Sequence, residues 1–164
     1  MYIKPKRGGK PNAKKTEQDM ETANAKEKAK QAISSRSLRE YLVDSGAAFH
    51  IICKHLLTKE ELRTVRKLDE EAMLQTANGI IIASHQAKVH VVELDLSLWA
   101  IILKDSPCLI SMGKLCREHG FTFMQIGANA PFLQEGRLKV ECQTHHDVPL
   151  INPLTSNRDV RGGS

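Results

Sequence analysis

The chain has 164 residues, with 24 Lys+Arg against 19 Asp+Glu and an apolar fraction of 41%, enough for one modest core in a single domain with an appendage. Only 4% of residues are aromatic, so aliphatic side chains must fill that core. No stretch approaches the roughly 18 apolar residues of a membrane span, and the basic start MYIKPKRGGKPNAKK lacks the apolar segment of a secretory signal. Cys53, Cys108, Cys116 and Cys142 form no CxxC pair, which points to a reduced, intracellular setting. A membrane protein, a secreted disulfide scaffold and a large multidomain enzyme are thereby excluded as expectations.

In chain order, residues 1–31 hold nine basic and four acidic residues, the whole formal charge of +5, and the remaining chain is neutral. Residues 1–35 therefore read as a basic linker, disordered or partly helical: Pro5, Gly8, Gly9 and Pro11 break structure, and the Ala/Glu/Lys/Gln run after Lys15 favours helix without a strong apolar stripe. Its lysines suit weak nucleic-acid contact through phosphate charge. The body begins near Arg36, where Leu38–Val43 reads as a strand entering the turn Asp44-Ser45-Gly46. Ala47–Leu57 is apolar enough to be buried, and Thr58 with Glu61 has capping-box spacing at a helix start. Asn78-Gly79, between Ala72–Ala77 and Ile80–Ala83, is a hairpin signal in which both turn positions favour positive φ. Strands are expected at Lys88–Leu94 and Leu96–Leu103, with Trp99 packed on the latter. Cys108–Gly113 should be a short strand leading into a helical turn, Lys114–His119, capped by Gly120. Phe121–Ile126 should be a further strand, and Pro131–Cys142 a hairpin turning at Glu135-Gly136. Many short strands separated by turns give an all-β domain with one or two short helices.

The chemistry concentrates at Tyr41–His50. A carboxylate ends an apolar strand on a turn, followed by a hydroxyl, a glycine and small apolar residues. Two such loops face to face would bring two carboxylates together, and like charges that close share one proton, so the pair serves as base and acid at once. The tripeptide alone arises by chance in roughly 5–10% of chains this long, so its context has to carry the reading. That context resembles a family. Leu42-Val-Asp-Ser-Gly-Ala47 with His50, Gln75–Gly79, and Leu109-Ile-Ser-Met-Gly-Lys-Leu115 followed by Gly120-Phe-Thr-Phe123 resemble the protease region of a copia-type retrotransposon polyprotein, among the retropepsin-like aspartic peptidases.

The resemblance spans residues 36–126. It implies a retropepsin-like acid-protease half-barrel there, a β-hairpin extension over 127–151 of the kind found before the integrase, and a disordered tail at 152–164. It also implies a homodimeric aspartic endopeptidase that processes a polyprotein, each chain donating Asp44. Ser45 would bond across the dimer, and Gly46 would let its backbone N–H approach the carboxylate. Ala47 would line the substrate site, Asn78 and Gly79 the covering flap, Leu109-Ile110 the packing beneath the catalytic loop, and Phe121–Phe123 the dimer interface. No cofactor and no metal are called for. The expected partners are a polypeptide substrate, a second copy and, through the basic arm, weakly, nucleic acid, with no membrane; the setting is intracellular, in cytoplasm or a virus-like particle. Such a chain would be a fragment or truncated product of the element, and the alternative is an inactive remnant serving as a dimerisation or nucleic-acid-binding module. Ser45 stands where threonine is commoner, the flap is not glycine-rich, and Ser111-Met112 interrupts an apolar-apolar-Gly pattern.

Other readings compete for the remaining reactive residues. Cys116-x-x-His119 and Cys142-x-x-His145, with His146, have spacings that could ligate zinc, against buried thiols and exposed imidazoles. Cys53 and His55 could pair as nucleophile and base only if both lay on one face of a strand. His50 reads as a core imidazole or as a residue behind the catalytic one.

Overall fold

A computed structural model describes residues 39–153 and the backbone at 157–159. The basic linker 1–35 and its expected nucleic-acid contact, Leu38, and most of the tail lie outside the described residues. The body is all-β with short helices. Strands β1 (Tyr41–Asp44), β2 (Ile51–Cys53), β3 (Arg66–Thr76), β4 (Gly79–Val91), β5 (Leu96–Leu103), β6 (Cys108–Ser111), β10 (Gln143–His145) and β11 (Val148–Ile151) form one sheet in the order β10-β11-β1-β6-β2-β5-β4-β3. A second sheet has the order β12-β9-β8-β7, from β7 (Thr122–Met124), β8 (Phe132–Glu135), β9 (Leu138–Glu141) and β12 (Asn157–Asp159).

Both sheets feed one core. Tyr41, Val43, Ile52, Val89 and Ile110 from the large sheet meet Leu133 and Val140 from the small one, with Phe121 between. The expected extension at 127–151 thus packs into the main core, and β11 lies antiparallel beside β1, Tyr41 opposite Ile151. With so few aromatics, branched aliphatics and alanines build this interior, as alternating strand positions allow.

Several elements follow local chemistry closely. Thr58 caps α1 (Lys59–Leu62): its hydroxyl accepts from Glu61 N–H at 3.2 Å, and the Glu61 carboxylate accepts from Thr58 N–H at 2.9 Å. Helix α2 (Met112–His119) starts on Ser111 and ends on Gly120, whose φ of +71° suits glycine at the helix exit. Strand β5 occupies the expected span, and Arg66 stacks over the half-buried Trp99 ring at 3.9 Å.

Elsewhere tertiary contacts redraw the expectations. Lys88–Leu94 is the end of β4 followed by a 3-10 turn, because β4 runs on from the hairpin as one 13-residue strand. The hairpin turn itself holds Ala77 and Asn78, since Thr76 pairs with Gly79; the positive φ falls at Gly79 (+118°). The later hairpin turns at Gly136-Arg137, one residue beyond expectation. Of Ala47–Leu57 only His50, Ile51 and Ile52 are buried; Ala48 is exposed, and Lys54–Leu56 forms an exposed 3-10 turn. The β10–β11 hairpin went unread because its turn, His146-Asp147, lacks glycine; both residues adopt positive φ. Phe121 is 6% exposed in this chain's own core and Ile110 is fully buried, so neither is held out for a partner.

Candidate active site

Asp44 ends β1, and the chain then loops over β6 before re-entering the sheet as β2. Strand β6 lies between the two, parallel to β1 with Asp44 opposite Ser111, and antiparallel to β2 with Leu109 opposite Ile51. A loop that straddles a strand in this way is anchored on both sides. Val43 before it and Ile51 after it are buried, whereas Ser45 and Gly46 are exposed, so the carboxylate is carried on a firm stem to the molecular surface.

The turn is held by short hydrogen bonds. Asp44 Oδ1 accepts from Gly46 N–H at 2.7 Å, and a Cβ added at Gly46 would lie 3.3 Å from that oxygen. This is the close approach that the glycine permits. Ala47 is fixed from behind: its carbonyl accepts from the Ser111 hydroxyl at 2.6 Å. The same hydroxyl accepts from Lys114 N–H at 3.3 Å as the cap of α2, and Ser111 N–H donates to His50 Nδ1 at 3.1 Å. Finally, His50 C=O accepts from Ile101 N–H at 2.8 Å. Ser111 and His50, 1% and 2% exposed, together fasten the whole loop to β5, β6 and α2.

His50 is neutral in this setting. Burial, then the Lys114 and His119 charges, push its imidazole down to about 4, and accepting from a backbone N–H requires an unprotonated Nδ1. Its Nε2 is buried without a hydrogen-bond partner. Sequence reasoning placed His50 in the core and treated Ser111 as a departure from pattern. Two signals could have found them: a serine directly ahead of a helix, available as its cap, and a histidine six residues beyond Asp44.

Asp44, Ser45, Gly46 and Ala47 form one continuous turn. Asn78 and Gly79 lie at the tip of the β3–β4 hairpin, where Thr76 Oγ1 donates to Gly79 C=O at 2.9 Å and accepts from Asn78 N–H at 3.3 Å. No hydrogen bond among the described residues joins them to the Asp44 turn. The link between hairpin and loop is apolar: Ala72 and Ala83 pack with Ile51, Ile101 and Leu103, against half-buried Phe49, Leu74 and Leu109. This second cluster ties the middle of the hairpin to Phe49 and Ile51, where the loop re-enters the sheet.

The competing sites do not assemble. No group of three or more His, Cys, Asp or Glu side chains among the described residues could hold a metal ion. Burial pushes the Cys142 thiol up to about 12, which opposes the thiolate that zinc needs. Cys53 ends β2 and donates to Lys104 C=O at 3.4 Å, while His55 sits in the exposed 3-10 turn, so the two share no strand face. No helix of the described residues is long and apolar enough to cross a membrane. Compared with protein-family models and with curated proteins, the chain matches none.

Proposed function

We propose that the chain is one protomer of a retropepsin-like aspartic endopeptidase, its residues 36–126 a half-barrel that dimerises to pair Asp44 with its counterpart. The observation that carries this reading is the Asp44-Ser45-Gly46 turn astride β6, with the loop that follows it locked by Ser111 and His50. One turn supplies one carboxylate, and no second Asp-Ser/Thr-Gly occurs in the 164 residues, so a two-fold axis must supply the other. Of the shared-proton pair, the ionised carboxylate takes a proton from water as it attacks the scissile carbonyl. The protonated one donates to the carbonyl oxygen, and a proton then passes to the leaving amine. In this reading Ser45, exposed beside Asp44, bonds across the axis, and Asn78-Gly79 close over substrate. Strand β7 ends the small sheet with Met124 42% exposed, and its free edge is where a second copy would add. The copia-type resemblance assigns polyprotein processing in an intracellular particle.

The purified full chain should cleave peptides spanning apolar junctions, with an acidic optimum and inhibition by pepstatin. Asp44→Asn should lower the rate by about 10³-fold or more while leaving the fold intact. Cleavage that survives this substitution would overturn the aspartic mechanism. A strict monomer at micromolar concentration with no cleavage would favour the inactive remnant instead.

A further inference from the structure

The strongest unexplained surface lies where the hairpin strand β4 parts from β5. Strands β4 and β5 pair from Val91↔Leu96 only as far as Gln86↔Ile101. Beyond that point they diverge: Ile82 and His85 pair with β3 alone, and Ile102 and Leu103 with β2 alone. In β3, four residues, Leu68–Glu71, oppose Ser84 at the same level, so the ladder is interrupted on that side too. The facing edges of β4 and β5 therefore present backbone donors and acceptors that no strand fills.

A groove of about 390 Å³ occupies this wedge. Its floor is apolar, built from Leu62, Val65, Ile82 and Ile102, of which Leu62 is 48% and Ile82 61% exposed. Large aliphatics this open, gathered in one groove, mark a binding surface more than a scattered surface residue does. The rim carries two lysines. Lys54 and Lys104 line it, no acidic side chain does, and neither lysine has an ion-pair partner among the described residues.

We propose that this groove docks an extended peptide segment of another polypeptide, apolar at alternate positions and acidic between them. Open strand edges supply main-chain pairing, the floor takes one face of the added strand, and the lysines take carboxylates on the other. The chain's own basic arm is excluded as occupant by sign, since residues 1–31 carry the entire net charge of +5. None of the groove's residues belongs to the Asp44 turn or its clamp, but Ile82–His85 belong to the hairpin whose tip the protease reading sets over substrate.

The test uses the full chain carrying Asp44→Asn, so that no probe can be cleaved, and three fluorescein-labelled heptapeptides: alternating Glu-Leu, alternating Lys-Leu, and alternating Glu-Ser. Anisotropy should show the Glu-Leu peptide binding about tenfold or more tightly than either other. The doubly exposed pair Lys54→Glu/Lys104→Glu should reverse the preference towards Lys-Leu, and Ile82→Ser should weaken Glu-Leu binding about tenfold. Folding of each variant is checked by its thermal midpoint, and Ile82→Ser keeps the test open if the charge reversal does not fold. Equal binding of Glu-Leu and Glu-Ser, or Glu-Leu binding unchanged in both variants, would place the contact on the basic arm and overturn the proposal. So would equal displacement of Glu-Leu by a thymidine oligonucleotide, which would make the surface a polyanion site.

Discussion

The Asp44 loop and the β3–β4 hairpin are both excursions from the same sheet, yet they are built on opposite principles. The loop is short and crossed by hydrogen bonds at Gly46, Ala47 and His50, two of its anchors being nearly inaccessible. The hairpin is long, interrupted by four residues opposite one, and in its outer half exposes Met73, Ile80 and Ile82. Only its root is fastened. There Arg39 grips Glu61 through two 2.6 Å hydrogen bonds and bonds Leu56 C=O, while Glu61 also accepts from His90 N–H on β4. Thr64 Oγ1 adds a second tie, accepting from Lys88 N–H at 2.8 Å. A reacting group needs a fixed position, whereas an element that must admit and cover a chain needs a fixed root and a free tip.

The sharpest way to break this contrast is at the root. Arg39 is 4% and Glu61 7% exposed. Burial alone would raise the Glu61 carboxyl, but the Arg39 guanidinium overrides it and holds the carboxyl below its usual range. Arg39→Ala strands that charge, and chemical denaturation should show a loss of about 3–5 kcal/mol. The double substitution Arg39→Met/Glu61→Leu should recover most of it, since apolar replacement removes both desolvation costs. A full loss in the double variant would mean the root is held by packing geometry that no apolar pair reproduces.

The loop's anchor should be visible in the pH dependence of stability. His50 titrates near 4 when folded and near 6.5 when unfolded, so the unfolded state takes up a proton first as pH falls. Stability should drop between about pH 6.5 and 4, by roughly 3 kcal/mol, and level off below. The slope should flatten in His50→Gln; an unchanged slope would assign it to other groups.

Ser111→Ala removes the hydroxyl that holds the Ala47 carbonyl and caps α2, taking a partner from one half-buried acceptor and from the Lys114 N–H. A loss of about 1–3 kcal/mol is expected. If the loop positions Asp44 for catalysis, kcat should fall more than KM rises, and Ser111→Thr should restore part of it. A change in stability with kcat untouched would leave Ser111 a structural cap only. The smallest effect belongs to the hairpin's outer half. Ile80, 66% exposed, should tolerate serine within about 0.5 kcal/mol, and hydrogen exchange should be far faster at residues 76–82 than at 41–51. Equal protection in the two stretches would erase the contrast.

Much of this was readable from local chemistry. Helix α2 begins at Met112, two residues before the expected Lys114, but the Thr58–Glu61 box, the Gly120 end of α2 and the bounds of β5 followed from the residues' own local chemistry. So did the Asp44 turn, where glycine alone lets an amide approach a carboxylate so closely. The β10–β11 hairpin escaped because His146 and Asp147 take positive φ against their local preference, held there by the pairing of Val148–Ile151 with its neighbours.

By itself, then, the sequence determined that the body is all-β, where α1 begins and α2 ends, and which turn carries Asp44. These depend on residues a few positions apart, whose geometry is set before the chain folds back on itself. Tertiary structure alone decided that β6 runs between β1 and β2, that Ser111 closes on the Asp44 loop by bonding His50 and Ala47, 61 and 64 positions away, and that β4 and β5 part to open a groove. Each of these depends on distant segments meeting at one register, and register between distant strands is settled by how their buried faces pack together, which no local pattern encodes.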